Sequence, residues 1–249
     1  MTVVTMLAAG VLVGRNLHRQ VSGVSPDEPT GKASTEKLTR YRIPVTDSQP
    51  SQGPSDALVT IIEWSALGDA ESQHASEVIA KVLQRYPRDV RLVFRNYPAN
   101  ARPEAMAPAE LAMEANDQAG KFWQAEKLLS QTQGPLTDAD YERLAGQLQL
   151  DVDAFRKSMA GHTHAAHIVA DRIFADMFGA HAPPSVFVNG APLGGQVELN
   201  TLTAAVEREL ISARQLVAHG VARESVYEAI TKNAAPSVEG WKLAAVTAP

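Results

Sequence analysis

Leu58-Val59-Thr60-Ile61-Ile62-Glu63-Trp64 is an almost unbroken run of β-branched and aromatic residues, and the fold is read outward from it. Such a run suits a strand buried on both faces. Turn chemistry at Pro54-Ser55-Asp56 precedes it, and Gly68-Asp69 follows it. Next, Ala75, Val78, Ile79, Val82 and Leu83 recur at i, i+3, i+4, i+7 and i+8, which predicts a helix with one apolar stripe. The helix must end before Pro87, because proline disfavours helical backbone in the residue ahead of it. Val90 to Tyr97 then reads as a second strand. Strand, helix and strand with short connections form a βαβ unit, so the two strands are expected to be parallel.

Upstream, Tyr41-Arg42-Ile43-Pro44-Val45 reads as a short strand confined to an edge by its proline. Downstream, residues 104–178 read as helical throughout, with helices near 104–119, 121–132, 138–148, 151–160 and 163–178. Thr137 and Asp151 have the oxygen-bearing side chains that cap helix N-termini. Ser185-Val186-Phe187-Val188 ends in Asn189-Gly190, a hairpin turn signal, with a partner strand expected near Pro192-Leu193. Asn200 is expected to cap a final helix bearing Leu202, Ala205, Val206, Glu209 and Leu210. A last amphipathic pair is read over about 212–234, with Val226, Tyr227 and Ile230 on one face. The resulting division is an α/β domain from 41–103 and 179–212, a helical insertion at 104–178, a C-terminal helical extension at 213–234 and a tail at 235–249.

Of the 249 residues, 45% are hydrophobic and 20% charged, which is globular rather than disordered or fibrous composition. The net charge of -5 argues against a dedicated nucleic-acid binder, which carries a basic footprint. There is no cysteine, so disulfides, thiolate metal sites, iron–sulfur clusters and thiol redox chemistry are all excluded. Residues 1–14, MTVVTMLAAGVLVG, are uncharged and would span roughly 21 Å as a helix, short of the roughly 30 Å hydrocarbon core. With Arg15, His18 and Arg19 behind it, this stretch reads as a signal or anchor segment over 1–20, followed by a flexible linker over 21–40. The expected location is the periplasm or cell envelope, with membrane anchoring through residues 1–14.

Taken in order, these elements resemble a thioredoxin fold interrupted by a helical domain, the architecture of the DsbA family of periplasmic disulfide oxidoreductases. Four segments carry the resemblance: Val59 to Ser65 before the active site, Val90 to Pro98 as the next strand, Gly120-Lys121-Phe122-Trp123 in the helical domain, and Ala182 to Gly190 as the cis-proline loop and strand. The resemblance covers roughly residues 41–210 and puts Pro184 at the cis-proline. It also implies that a Cys-x-x-Cys motif should open the first helix, where the helix dipole and free N–H groups activate a thiolate.

Here those four positions are Asp69-Ala70-Glu71-Ser72. Thiol–disulfide exchange needs a thiolate attacking sulfur, so the reaction implied by the resemblance is closed to this chain. A description as a disulfide oxidoreductase by similarity would be inherited from relatives. Asp69 is read as an N-cap, a role worth about 1 kcal/mol. A rival reading gathers Asp69, Glu71, Ser72 and His74 with His181 into a new pocket, with Ser72 and His74 serving a transferase or hydrolase. In relatives the residue before the cis-proline pairs with bound peptide through its backbone, and Pro183 lacks the N–H for this. Glu63, inside an apolar strand, is also counted with His74 and His181 as a possible pocket residue; it needs a partner or a raised pKa, and Arg95 is a candidate. His162, His164 and His167, with Asp171, are weighed as a metal cluster and read as a solvated helix start. The expectation is therefore a redox-inactive envelope protein with no cofactor, no metal and no catalytic residue, binding a polypeptide or envelope partner around Asp69 and Pro184.

Overall fold

The computed structural model describes residues 39–100, 103–132 and 134–238. The expected leader at 1–20 and nearly all of the linker at 21–40 lie outside the described residues, as does the tail beyond residue 238. Among the described residues five strands form one sheet in the order β1-β3-β2-β4-β5: β1 (Ser51–Gln52), β2 (Val59–Ser65), β3 (Val90–Asn96), β4 (Ser185–Val188) and β5 (Ala191–Pro192). β2 and β3 run parallel from Val59 opposite Val90 to Ser65 opposite Asn96. The other pairings are antiparallel, with Ile61 opposite Val188 and Trp64 opposite Ser185.

Every residue of β2 is buried. Successive side chains point to opposite faces of a strand, so β2 feeds two cores. Val59 and Ile61 pack with Ala75, Val78, Ile79 and Val82 of α1 (Ala70–Arg85) and with Leu202, Val206 and Leu210 of a later helix. Ile62 and Trp64 face Ile43, Phe178, Phe187 and Tyr227. Glu63 shares the α1 face with Val59 and Ile61, a position that decides its chemistry below.

The helical insertion comprises α2 (Pro103–Ala119), α3 (Phe122–Ser130), α4 (Asp138–Gln147), α5 (Val152–Ala160) and α6 (Ala165–Met177). Its own core gathers Leu111, Phe122, Leu144, Phe155 and Ile168, and Phe94 of β3 joins it with ring centroids 4.8 Å from Phe122. Both expected caps form: Thr137 makes a reciprocal capping box with Asp140, and Asp151 accepts from the backbone of Asp153 and Ala154. Asn189 and Gly190 both take positive φ, as a two-residue hairpin of the primed type requires.

Three expectations are corrected. Residues 41–45 do not form a strand; Tyr41 makes one isolated bridge to Ala235. Pro44 cannot donate to a ladder, Ile43 is buried instead, and the edge beside β3 is held by Ser51 and Gln52. Asn200 is not the cap of α7 (Leu199–Ala218); Glu198 holds that position, with no side-chain cap bond. The helix is stabilised by its buried stripe, which continues past Leu210 to Ala213, so it runs unbroken across the boundary expected at 212. Among the described residues a 3₁₀ turn and the short α8 (Val226–Thr231) follow it.

Candidate functional site

At the start of α1, Asp69 has extended backbone and its Oδ2 accepts the Ser72 N–H at 2.9 Å. This satisfies one of the orphan donors that every helix N-terminus leaves. Ser72 is turned inward and buried, and its Oγ accepts the Ala66 N–H at 3.2 Å. The hydroxyl therefore braces the β2–α1 connection. Ala70 and Glu71 remain exposed beside it.

Beneath this turn lies Glu63, fully buried. Its Oε1 accepts from the Ser65 hydroxyl at 2.9 Å and, more weakly, from Ser76 at 3.5 Å, while Oε2 has no partner among the described residues. Burial pushes its pKa up to about 8, the two serines pull it down, and the nearby Glu126 carboxylate raises it further. Glu63 is thus mostly protonated at neutral pH. Glu126 of α3 is itself raised, chiefly by burial. Arg95 is not Glu63's partner: it donates to Asp171 at 2.8 Å and to the Pro44 carbonyl at 2.6 Å. The reason is the pleat, since Arg95 pairs in register with Trp64 and faces α6.

The peptide bond between Pro183 and Pro184 is cis, immediately before β4. Ala182, Pro183 and Pro184 form one wall of a groove of about 530 Å³ whose other walls are Ala70, Glu71 and His74 of α1 and the strip Gly195 to Glu198. This lies within the size range of ligand sites. Among the described residues no lysine or arginine lines it, whereas Glu71 and Glu198 do. His74 approaches Glu198 at 3.9 Å with both side chains more than half exposed, a contact worth little in water. A second hollow, of about 350 Å³, lies on the other side of Asp69, between the β2–α1 turn and the insertion.

The residues expected to share one pocket are therefore separated. His74 lines the groove, His181 is exposed and pairs with Asp176 at 3.6 Å, Ser72 is buried, and Glu63 lies deeper still. No nucleophile–base pair forms among them. The three insertion histidines diverge as well. His162 meets Glu110, His164 meets Glu114 at 2.7 Å, and His167 lies 3.6 Å from Asp171. His164 precedes the helix and is buried, so it does not share a solvated face with His167. Among the described residues no group of three or more His, Asp or Glu could hold a metal ion, and no helix is long and apolar enough to cross a membrane.

The sequence reading misses Glu126 and weighs Asp171 only beside the insertion histidines. Glu126 follows the buried Phe122 and Ala125 on α3, a spacing that hints at an inner edge but not at Glu63. Asp171 accepts from Arg95 and from both the backbone and side-chain nitrogens of Asn96, while its carbonyl accepts from the Trp64 indole at 2.9 Å. Nothing in the sequence pairs it with residues so distant.

Comparison with known proteins places this geometry. The family model described as Thioredoxin matches residues 46–208. Among solved structures, BdbD from Bacillus subtilis superposes with a TM-score of 0.60 at 20% identity, over 70% of this chain and 98% of that one. A thioredoxin-like oxidoreductase from Silicibacter pomeroyi gives 0.59 at 25% identity, over 67% and 94%. The α-DsbA1 protein of Wolbachia pipientis gives 0.60 at 19% identity, over 71% and 96%. Among curated proteins, Na(+)/H(+) antiporter NhaA 3 of Salinispora tropica is 33% identical over 183 residues, which is 73% of this chain and 28% of that protein. Na(+)/H(+) antiporter NhaA of Nitrosospira multiformis is 30% identical over 169 residues, 66% of this chain and 26% of that one. The chain thus spans little more than a quarter of the length of these curated relatives.

Proposed function

The chain belongs to the thioredoxin family with a DsbA-like architecture, and from that premise we propose that it is a redox-inactive binding protein of the cell envelope. It captures a polypeptide or a partner protein in the groove between α1 and the Pro183–Pro184 loop. The observation that carries this reading is the groove itself: about 530 Å³, standing open beside a helix start that holds no thiol. The fold offers a place for an extended chain, and the residues offer no chemistry to perform on it.

Pro183 changes how the ligand is held. Its carbonyl can still accept, but it has no N–H to give, so backbone pairing at that point is one-sided. Recognition shifts toward the apolar proline rings and the acidic rim of Glu71 and Glu198. The envelope location rests on two supports. One solved neighbour is a periplasmic thioredoxin-like protein from Salmonella enterica. In the curated relatives, a segment like this one makes up part of a much longer sodium–proton antiporter.

The reading is tested by titrating the protein with an unfolded, cysteine-free polypeptide and following fluorescence anisotropy. Saturable binding is expected, and His74→Trp, which fills the groove from an exposed position, should abolish it. Binding that persists in the filled variant would contradict the assignment. Insulin reduction in the presence of dithiothreitol should proceed at the uncatalysed rate, and any acceleration by the protein would contradict it equally.

A further inference from the structure

We propose that the helical insertion carries a second, separate binding site, which takes a small organic cation: an ammonium or amidinium head on an apolar body. The site is a hollow of about 440 Å³ enclosed by α2, α4 and α5. Its apolar wall comes from Leu136, Tyr141, Phe155 and Met159. Among the described residues its polar wall holds four carboxylates, from Glu104, Glu110, Asp138 and Glu142, against one guanidinium, Arg156, and one imidazole, His162.

The balance of charge selects the ligand. Arg156 is already committed: it donates to both oxygens of Glu142, at 2.8 and 3.0 Å, and to Asp153 at 2.6 Å. Glu104 and Asp138 remain as exposed anions at the rim. Tyr141, in the wall, has its hydroxyl pushed up to about 12 by burial and by Asp138 and Asp140, as expected where the field is negative.

Glu110 supplies the anchor. It stands one helical turn from Glu114 on the same face of α2, and both are buried. Glu114 is fully employed, by the Ser158 hydroxyl, the Gln118 amide and His164. Among the described residues Glu110 meets the Nδ1 of His162 alone, at 3.2 and 3.3 Å to its two oxygens. Its side chain is 2% exposed, whereas that of His162 is 51% exposed. A carboxylate with about four lone-pair positions thus faces an apolar-walled hollow with a single, solvent-open ring nitrogen as partner. A cation inside the hollow would add a charge-assisted bond to this buried carboxylate, stronger than a bond between neutral groups. Among the described residues the hollow shares no lining residue with the groove beside Pro184, so the two sites are separate.

The test uses benzamidine, its neutral analogue benzamide and its anionic analogue benzoate, with the Met159 methyl and Phe155 ring signals followed by NMR. Benzamidine should shift both saturably, and benzamide and benzoate should bind at least about tenfold more weakly, the loss expected for one charge-assisted bond. Glu110→Gln should weaken benzamidine by a similar factor. Ala160→Trp, which fills the hollow from an exposed position at the end of α5, should remove binding and leaves a reporter even if Glu110→Gln fails to fold. Equal affinity for benzamide and benzamidine, no shift with benzamidine, or retained binding in Ala160→Trp would overturn the proposal.

Discussion

Glu63 shows how one side chain's position governs both stability and chemistry. Its carboxyl is held protonated by burial, with a folded pKa of about 8 against 4.5 for the free group. Below the lower value both folded and unfolded chains bind the proton, and no penalty arises. Between the two values the unfolded chain releases the proton and the folded chain keeps it, so stability falls as pH rises through that window. Glu63→Gln removes the titration. It should therefore stabilise the protein at pH 8, by on the order of a few kcal/mol, and progressively less toward pH 5, read as a melting-temperature difference at each pH. Equal shifts at pH 5 and pH 8 would show that the carboxyl is ionised in the fold. Asp69 works the other way, as a plain cap on α1. Asp69→Ala should cost about 1 kcal/mol in chemical denaturation while leaving polypeptide binding intact; loss of binding with unchanged stability would make Asp69 a ligand contact instead.

At the scale of elements, the sheet and the insertion are pinned together by α6. Asp171 accepts from Arg95 and Asn96 of β3, and Arg95 lies over the rings of Trp64 and Phe174 at 5.6 and 5.4 Å. Arg95 and Asp171 are both nearly inaccessible. Removing one partner of such a pair leaves a buried charge uncompensated, so Asp171→Ala should destabilise the protein by about 3–5 kcal/mol in urea unfolding. A loss below about 1 kcal/mol would mean that water reaches Arg95. The elements themselves were largely legible. β2, α1 and β3 announce themselves by period, and Thr137 and Asp151 by their capping oxygens. Where local reading failed, a tertiary contact decided the outcome. Ile43 is drawn into a core by Tyr227, whose hydroxyl donates to the Ile43 carbonyl at 2.7 Å, and no local pattern predicts that.

For the whole molecule, the parts of the groove come from residues more than a hundred positions apart, Ala70 to His74 and Ala182 to Glu198. Their meeting was legible only through the family resemblance, because the βαβ unit alone does not say where the later hairpin docks. What local sequence did supply was the chemistry: an acid and a hydroxyl where a redox pair would stand. The scaffold around them keeps the geometry of a three-residue helical step, so Asp69→Cys combined with Ser72→Cys should close an internal disulfide on mild oxidation, detectable by mass loss of two hydrogens. A pair that stays reduced under oxidant would show that these two positions do not correspond to the redox pair of relatives.

The proposed function requires that a polypeptide bind between α1 and the Pro183–Pro184 loop. Backbone amide shifts of the ¹⁵N-labelled protein, recorded as an unfolded cysteine-free polypeptide is added, read that location directly. The shifts are predicted to concentrate at Ala70–His74, at Ala182 and Ser185, and at Gly195–Glu198. A saturated titration that leaves those amides unmoved, or that moves a different face, would contradict it.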